Sequence, residues 1–269
     1  MSNTFVRTLI SVLFIPLILA ICLFGKYFFL GFALVIGILA YYEFISMAKK
    51  KEVAGSFIIG IPAVLLLILN AYFNVADFSL LVFLIVFVSL LHELFRNEKS
   101  AILNLGASFL GIFYIGLFVS ALVMLREYFI DYQHGAMVII SMLATIWICD
   151  SAAYFFGLSF GKHRLFLRVS PKKSWEGAIA GFVFSILTML AAKLLVVDFL
   201  TWQNVIIIGF ILGTVGQIGD LIESLLKRDA GVKDSSNLIP GHGGIFDRFD
   251  SLIYSVPIVF LYIKYFIPR

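Results

Sequence analysis

Long apolar runs alternate with short polar turns along this chain, and a membrane-spanning helix needs about 20 apolar residues. The pattern predicts nine helices, at about 5–24, 27–47, 53–73, 77–95, 101–124, 135–158, 175–197, 203–226 and 251–267. No polar linker between them is long enough to separate two soluble domains, and no soluble domain is expected after the ninth. The expected fold class is an all-α polytopic membrane protein. Helices one to five (1–134) form an N-terminal block, and helices six to nine (135–269) form a C-terminal block that carries the chemistry. Composition agrees: 62% of the residues are hydrophobic and 13% charged, against about 25% charged in soluble domains. Lipid must cover much of that apolar surface.

Charge sets an orientation. Lys and Arg concentrate in cytoplasmic loops of membrane proteins. Here Lys49–Lys51, Arg96, Lys99, Lys162, Arg164, Arg168, Lys172, Lys173, Lys227, Arg228, Lys233 and Arg248 all follow even-numbered helices, and Arg7 lies near the N-terminus. Lys26, Arg126, Lys193, Lys264 and Arg269 remain for the other face. The N-terminus and even loops are therefore expected in the cytoplasm and the C-terminus outside. This placement explains the net charge of +4 better than nucleic acid does. Cys22 and Cys149 both lie in apolar runs and form neither a disulfide framework nor a zinc spacing.

Ionisable groups at membrane depth are costly and mark function or paired interior contacts. Asp150 lies about eight residues before the end of helix six, roughly 12 Å, and Asp220 about six residues before the end of helix eight, roughly 9 Å. The two carboxylates should thus reach a similar depth in the cytoplasmic half. Asp220, Glu223 and Lys227 follow i, i+3, i+7 spacing and share one helix face. Glu43, Glu93 and Lys193 fall near helix ends, where their side chains can snorkel to the interface. Gly213, Gly216 and Gly219 serve close helix packing or let a ligand approach the backbone.

Two loops carry candidate chemistry. Ser170-Pro171-Lys172-Lys173-Ser174 leads into helix seven with Ser174 as its N-cap. Lysines beside a helix N-terminus make an anion site, since the exposed N–H groups and the dipole both favour phosphate. The stretch from Ser224 to Asp250 combines Lys227, Arg228, Lys233, Arg248, four acids, His242 and a Gly241-His242-Gly243-Gly244 turn. Such a mix suits a nucleoside triphosphate with a divalent cation. Carboxylates hold Mg²⁺, Lys and Arg take phosphate charge, and glycine N–H groups line an anion turn. Asp247 and Asp250 share a face if the ninth helix already begins there. No Walker A, zinc His-Glu-x-x-His or G-x-S-x-G pattern occurs.

The run Ser224…Lys227-Arg228…Lys233-Asp234…Ile239-Pro240-Gly241-His242-Gly243-Gly244…Asp247-Arg248-Phe249-Asp250 resembles the signature of the phosphatidate cytidylyltransferases. Asp150-Ser151-Ala152-Ala153-Tyr154, Ser170–Gly177 and Gly219-Asp220 add to the likeness, which covers roughly the C-terminal half. The resemblance implies that CTP and phosphatidic acid give CDP-diacylglycerol and pyrophosphate with Mg²⁺, in a polytopic helical homodimer of the inner membrane. On that reading Asp220 and Asp247 are the main metal ligands, with Asp150 as a third and Glu223 behind them. The count of acids is consistent with a second cation. Lys172, Lys173, Lys227, Arg228, Lys233 and Arg248 face phosphates, and Ser170, Ser174, His242, Gly243 and Gly244 complete the substrate contacts. A secondary transporter of an anionic substrate is the alternative, since buried acids and broken helices occur there too. Charges gathered at one face favour the enzyme.

Overall fold

Nine helical rods are present among the described residues of the computed structural model, which are 3–238 and 243–268, with side chains described from Val12 onward. They are α1 (Asn3–Phe24), α2 (Lys26–Lys49), α3 (Phe57–Phe73), α4 (Phe78–Leu94), α5 (Ala101–Arg126), α6 (Tyr132–Phe160), α7 (Trp175–Leu195), α8 (Trp202–Asp229) and α9 (Phe246–Phe266). Six of them, α2 and α5 to α9, are long and apolar enough to cross a membrane. Of the other three, α3 and α4 are shorter apolar helices, and in α1 the stretch with described side chains is the apolar Val12–Phe24. The 17 residues of α3 or α4 rise only about 25 Å at 1.5 Å each, short of a hydrocarbon core of about 30 Å. The expectation of nine spans is therefore supported for six.

Two further departures matter for the site. The segment between α6 and α7 is an antiparallel hairpin, β1 (Arg164–Phe166) with β2 (Ser170–Ser174), so the chain is not purely helical. And α9 begins at Phe246, five residues earlier than expected, so that Asp247 and Asp250 are both helical.

The chain forms two compact units: Met1–Met124 with Asp229–Arg248, and Leu125–Arg228 with Phe249–Arg269. In the first, Tyr41 of α2 is fully buried. Its hydroxyl donates to the Ser56 carbonyl at 2.8 Å. Its ring lies where a side chain at Gly60 or Gly111 would stand, which draws α3 and α5 onto α2. Ser56 caps α3 by accepting from the Ile59 N–H. Asn104 of α5 accepts from the Ala54 N–H at 2.7 Å and donates to Glu93, which also pairs with Arg96 at 2.9 Å. Glu93 thus belongs to a buried network.

In the second unit the helices approach through small residues, as lipid-embedded helices do when packing replaces a hydrophobic drive. A Cβ at Gly177 would lie 2.5 Å from the Ala153 carbonyl, which brings α7 hard against α6. Gly209 and Gly213 lie as close to α7, beside a π turn at Leu212–Gly216 that interrupts α8. Single π turns inside α-helices recur at functional sites. This one precedes Asp220 by one helical turn.

Candidate active site

The second unit gathers three carboxylates. Gly219 of α8 has no room for a side chain: a Cβ there would meet the Tyr254 Cβ at 2.6 Å and the Asp250 carbonyl at 3.1 Å. That close crossing of α8 and α9 sets Asp220 and Glu223 beside Asp250. One oxygen from each of the three lies within 4.8 Å of the others. Glu223 is fully buried, while Asp220 and Asp250 are half-buried. Asp150 of α6 is exposed and stands outside this trio, yet its charge and that of Asp220 both act on Asp250.

Two lysines offset the acids. Lys173, at the end of β2, forms an ion pair and hydrogen bond with Asp220. Lys227 pairs with Glu223 one turn along α8, as the spacing of Asp220, Glu223 and Lys227 leads one to expect. Ser251 N–H donates to Asp250 Oδ1 at 2.6 Å, and Ser224 Oγ lies 3.4 Å from Asp220 Oδ1. Three carboxylates with two lysines leave an excess negative charge among hard oxygen donors, which is the donor set of Mg²⁺ or Ca²⁺.

The hairpin delivers Lys173 to this place by ordinary local chemistry. Ser174 is extended and caps α7 by accepting from the Gly177 N–H at 3.2 Å. The Trp175 N–H donates to the His163 carbonyl, and His163 Nδ1 lies 2.7 Å from Glu176 Oε1. Ser170 pairs with Phe166 in the ladder. Lys172 is exposed, with its carbonyl 3.3 Å from an Arg164 guanidinium nitrogen, and the Arg228 Nε donates to the Val169 carbonyl at 3.4 Å. A three-residue strand gives no readable alternation, so the hairpin was invisible in the pattern of the sequence.

The stretch Ser224–Asp250 is not one loop. Its first part continues α8 in the second unit, whereas Asp229–Arg248 belongs to the first. There Asp247 Oδ2 accepts from the Ser235 N–H (2.9 Å) and the Gly244 N–H (2.7 Å), and the Ser235 hydroxyl, 2.8 Å away, shares its one proton between Asp247 and Glu43. Gly243 takes φ +82°, a left-handed value that a side chain resists. Lys233 and Arg248 are exposed. His242 lies outside the described residues.

Glu43 departs from expectation. It does not snorkel: it is fully buried. Its two oxygens lie 2.6–3.0 Å from the Ser235 and Ser236 hydroxyls and the Ile245 and Phe246 N–H groups. The signal that could have found it was its place inside the apolar run Ile38–Phe44, where an acid calls for partners. Asp250 was visible only as a neighbour of Asp247. Its company with Asp220 and Glu223 comes from the Gly219 crossing.

The family model described as the cytidylyltransferase family matches residues 5–266. The chain belongs to that family. A Bacillus subtilis protein named phosphatidate cytidylyltransferase is 30% identical over 97% of this chain and 97% of its own length. A Synechocystis protein of the same name is 34% identical over 91% and 90%, and one from Haemophilus influenzae 41% over 56% and 54%. Membership extends the likeness from the C-terminal half to nearly the whole chain, and with it the transporter alternative is set aside. The protein is a multi-pass membrane member of this family, by its apolar helices and its relatives alike.

Proposed function

We propose that this chain transfers the cytidylyl group of CTP to phosphatidic acid, giving CDP-diacylglycerol and pyrophosphate in phospholipid synthesis. The observation that carries the proposal is the trio Asp220, Glu223 and Asp250, with Lys173 and Lys227, in a membrane-embedded cytidylyltransferase. An oxygen of the phosphatidate monoester forms a bond to the α-phosphorus of CTP. The bond from that phosphorus to the oxygen bridging to the β-phosphorus breaks, and its electron pair leaves with pyrophosphate. The monoester is largely ionised at neutral pH if its second pKa is about 6, as for a phosphorylated side chain, so no strong general base is needed. The task is to bring two polyanions together, by positioning and charge neutralisation.

The donor set fits Mg²⁺, which Asp220, Glu223 and Asp250 would hold. Asp150 is kept as a neighbouring acid, and Asp247 as a ligand candidate for a second cation by its place in the signature. The bound cation would supply charge neutralisation on phosphate oxygens. Lys173 and Lys227 balance the acids and stand next to where those oxygens belong. Lys172, Arg228, Lys233 and Arg248 are assigned to outer phosphate contacts, with Ser170, Ser174, Gly243, Gly244 and His242 as substrate contacts. In our reading the site faces the cytoplasm across the inner membrane, which the distribution of Lys and Arg supports, and the protein works as a homodimer.

Purified protein with labelled CTP and phosphatidic acid tests this. A liponucleotide product that disappears with EDTA and returns with Mg²⁺ is expected. Folded protein that yields no such product refutes it.

A further inference from the structure

We propose that Glu43 is a positioning residue: from within α2 it fixes the start of α9 and, through Ser235, the orientation of Asp247. The inference rests on the reading above only in giving the Asp229–Arg248 segment a part in turnover. Glu43 and its partners lie about 190 to 200 residues apart in sequence and in one compact unit. A carboxylate wholly removed from water is costly unless its oxygens are satisfied. Glu43 meets four polar groups: Oε1 accepts from the Ser236 hydroxyl (2.6 Å) and the Ile245 N–H (3.0 Å), Oε2 accepts from the Phe246 N–H (2.8 Å), and the Ser235 hydroxyl, 2.9 Å from Oε2, shares its single proton between Glu43 and Asp247.

Two of those groups are N–H donors at the mouth of α9, which lack partners inside the helix. A negative charge is favoured at that end, and hydrogen bonds to an ionised acceptor are the strong ones. Glu43 thus supplies from a distant helix the cap that a local residue would otherwise give. Gly244 makes room for it, because a side chain there would collide with the Glu43 carboxylate and the Ser235 hydroxyl.

The link to Asp247 is Ser235. Its Oγ lies 2.9 Å from Glu43 Oε2 and 2.8 Å from Asp247 Oδ2. The N–H groups of Ser235 and Gly244 also point at that Asp247 oxygen. Ser236, by contrast, donates to Glu43 and accepts from the Leu238 N–H, and among the described residues it makes no hydrogen bond to Asp247. The two serines therefore separate a merely structural Glu43 from a positioning one. Both hydroxyls touch Glu43, but only that of Ser235 also touches Asp247 and carries the placement onward.

The test compares Glu43→Gln, Ser235→Ala, Ser236→Ala and the Glu43→Gln/Ser235→Ala double variant in full-length protein. We expect Glu43→Gln and Ser235→Ala each to lower kcat about 30- to 100-fold, with the double variant no worse than the poorer single, as for residues of one network. Ser236→Ala should keep kcat within about threefold, although it too removes a hydroxyl from Glu43. Equal losses at both serines, additive losses at Glu43 and Ser235, or near-normal kcat in Glu43→Gln overturn the proposal. If Glu43→Gln does not fold, the contrast between the serines decides. Amide exchange, followed by mass spectrometry, judges the geometry without turnover. The Gly244 N–H should exchange at least about tenfold faster in Ser235→Ala and not in Ser236→Ala; equal rates in the two overturn it. Wild-type protein that makes no CDP-diacylglycerol would refute the proposed reaction, while the exchange measurement would still decide the role of Glu43.

Discussion

Asp250→Asn should make the metal-free protein more stable and the enzyme inactive. Oxygens of Asp220, Glu223 and Asp250 lie within 4.8 Å of one another. Two unit charges at that distance repel by about 3.5 kcal/mol at an effective dielectric of about 20. Where Asp250 is ionised, Asn there removes two of the three pairwise repulsions, so the melt is run at alkaline pH. Lys173 and Lys227 already cancel part of the field, which leaves a net relief on the order of 1–3 kcal/mol. At about 2–4 °C per kcal/mol for a chain of this size class, the melting temperature in EDTA should rise by several degrees. On the proposed reading Mg²⁺ should stabilise the wild type by binding the folded state, and this shift should vanish in the variant. Turnover should fall at least about 100-fold, since even outer partners of a metal are worth 10- to 100-fold. The assay is a thermal melt in detergent with EDTA and with Mg²⁺, paired with liponucleotide formation. A variant that melts lower in EDTA, still gains stability from Mg²⁺ and keeps its activity would refute the reasoning.

The same charge balance makes Lys227 sensitive in the opposite direction. Its side chain is 12% exposed and that of Glu223 0%, so Lys227→Met should cost about 3 kcal/mol, as removal of one partner of a buried pair does. Glu223→Gln/Lys227→Met should recover most of that loss in a melt, and failure to recover would argue against the pair as the cause. Asp77, which caps α4, offers a pH test: the N–H groups of Leu80 and Ser79 hold its carboxyl below the usual carboxylate range. Its contribution is present above the unfolded value of about 3.9 and is lost as pH falls through the lower folded value. Exchange at Ser79 and Leu80 should therefore accelerate only in that acid window, and Asp77→Ala should show fast exchange at every pH.

Much of the fold was legible because its causes are local. Apolar length marks each helix, and Ser174 at the head of α7 is a cap whose partner is three residues away. Asp220, Glu223 and Lys227 could be grouped from spacing alone because a single helix carries them. Three features were not legible in this way. The hairpin needs pairing between strands too short to show a period. Asp250 joins Asp220 and Glu223 only because α8 and α9 cross at Gly219, where no side chain intervenes. Glu43 looked like an interfacial acid because its four partners come from a segment nearly 200 residues away. The sequence by itself determined which segments are helical and which residue types the chemistry has at hand. The tertiary structure decided which acids stand together and which one holds a loop, because an acid in an apolar helix takes its role from the partners that satisfy it.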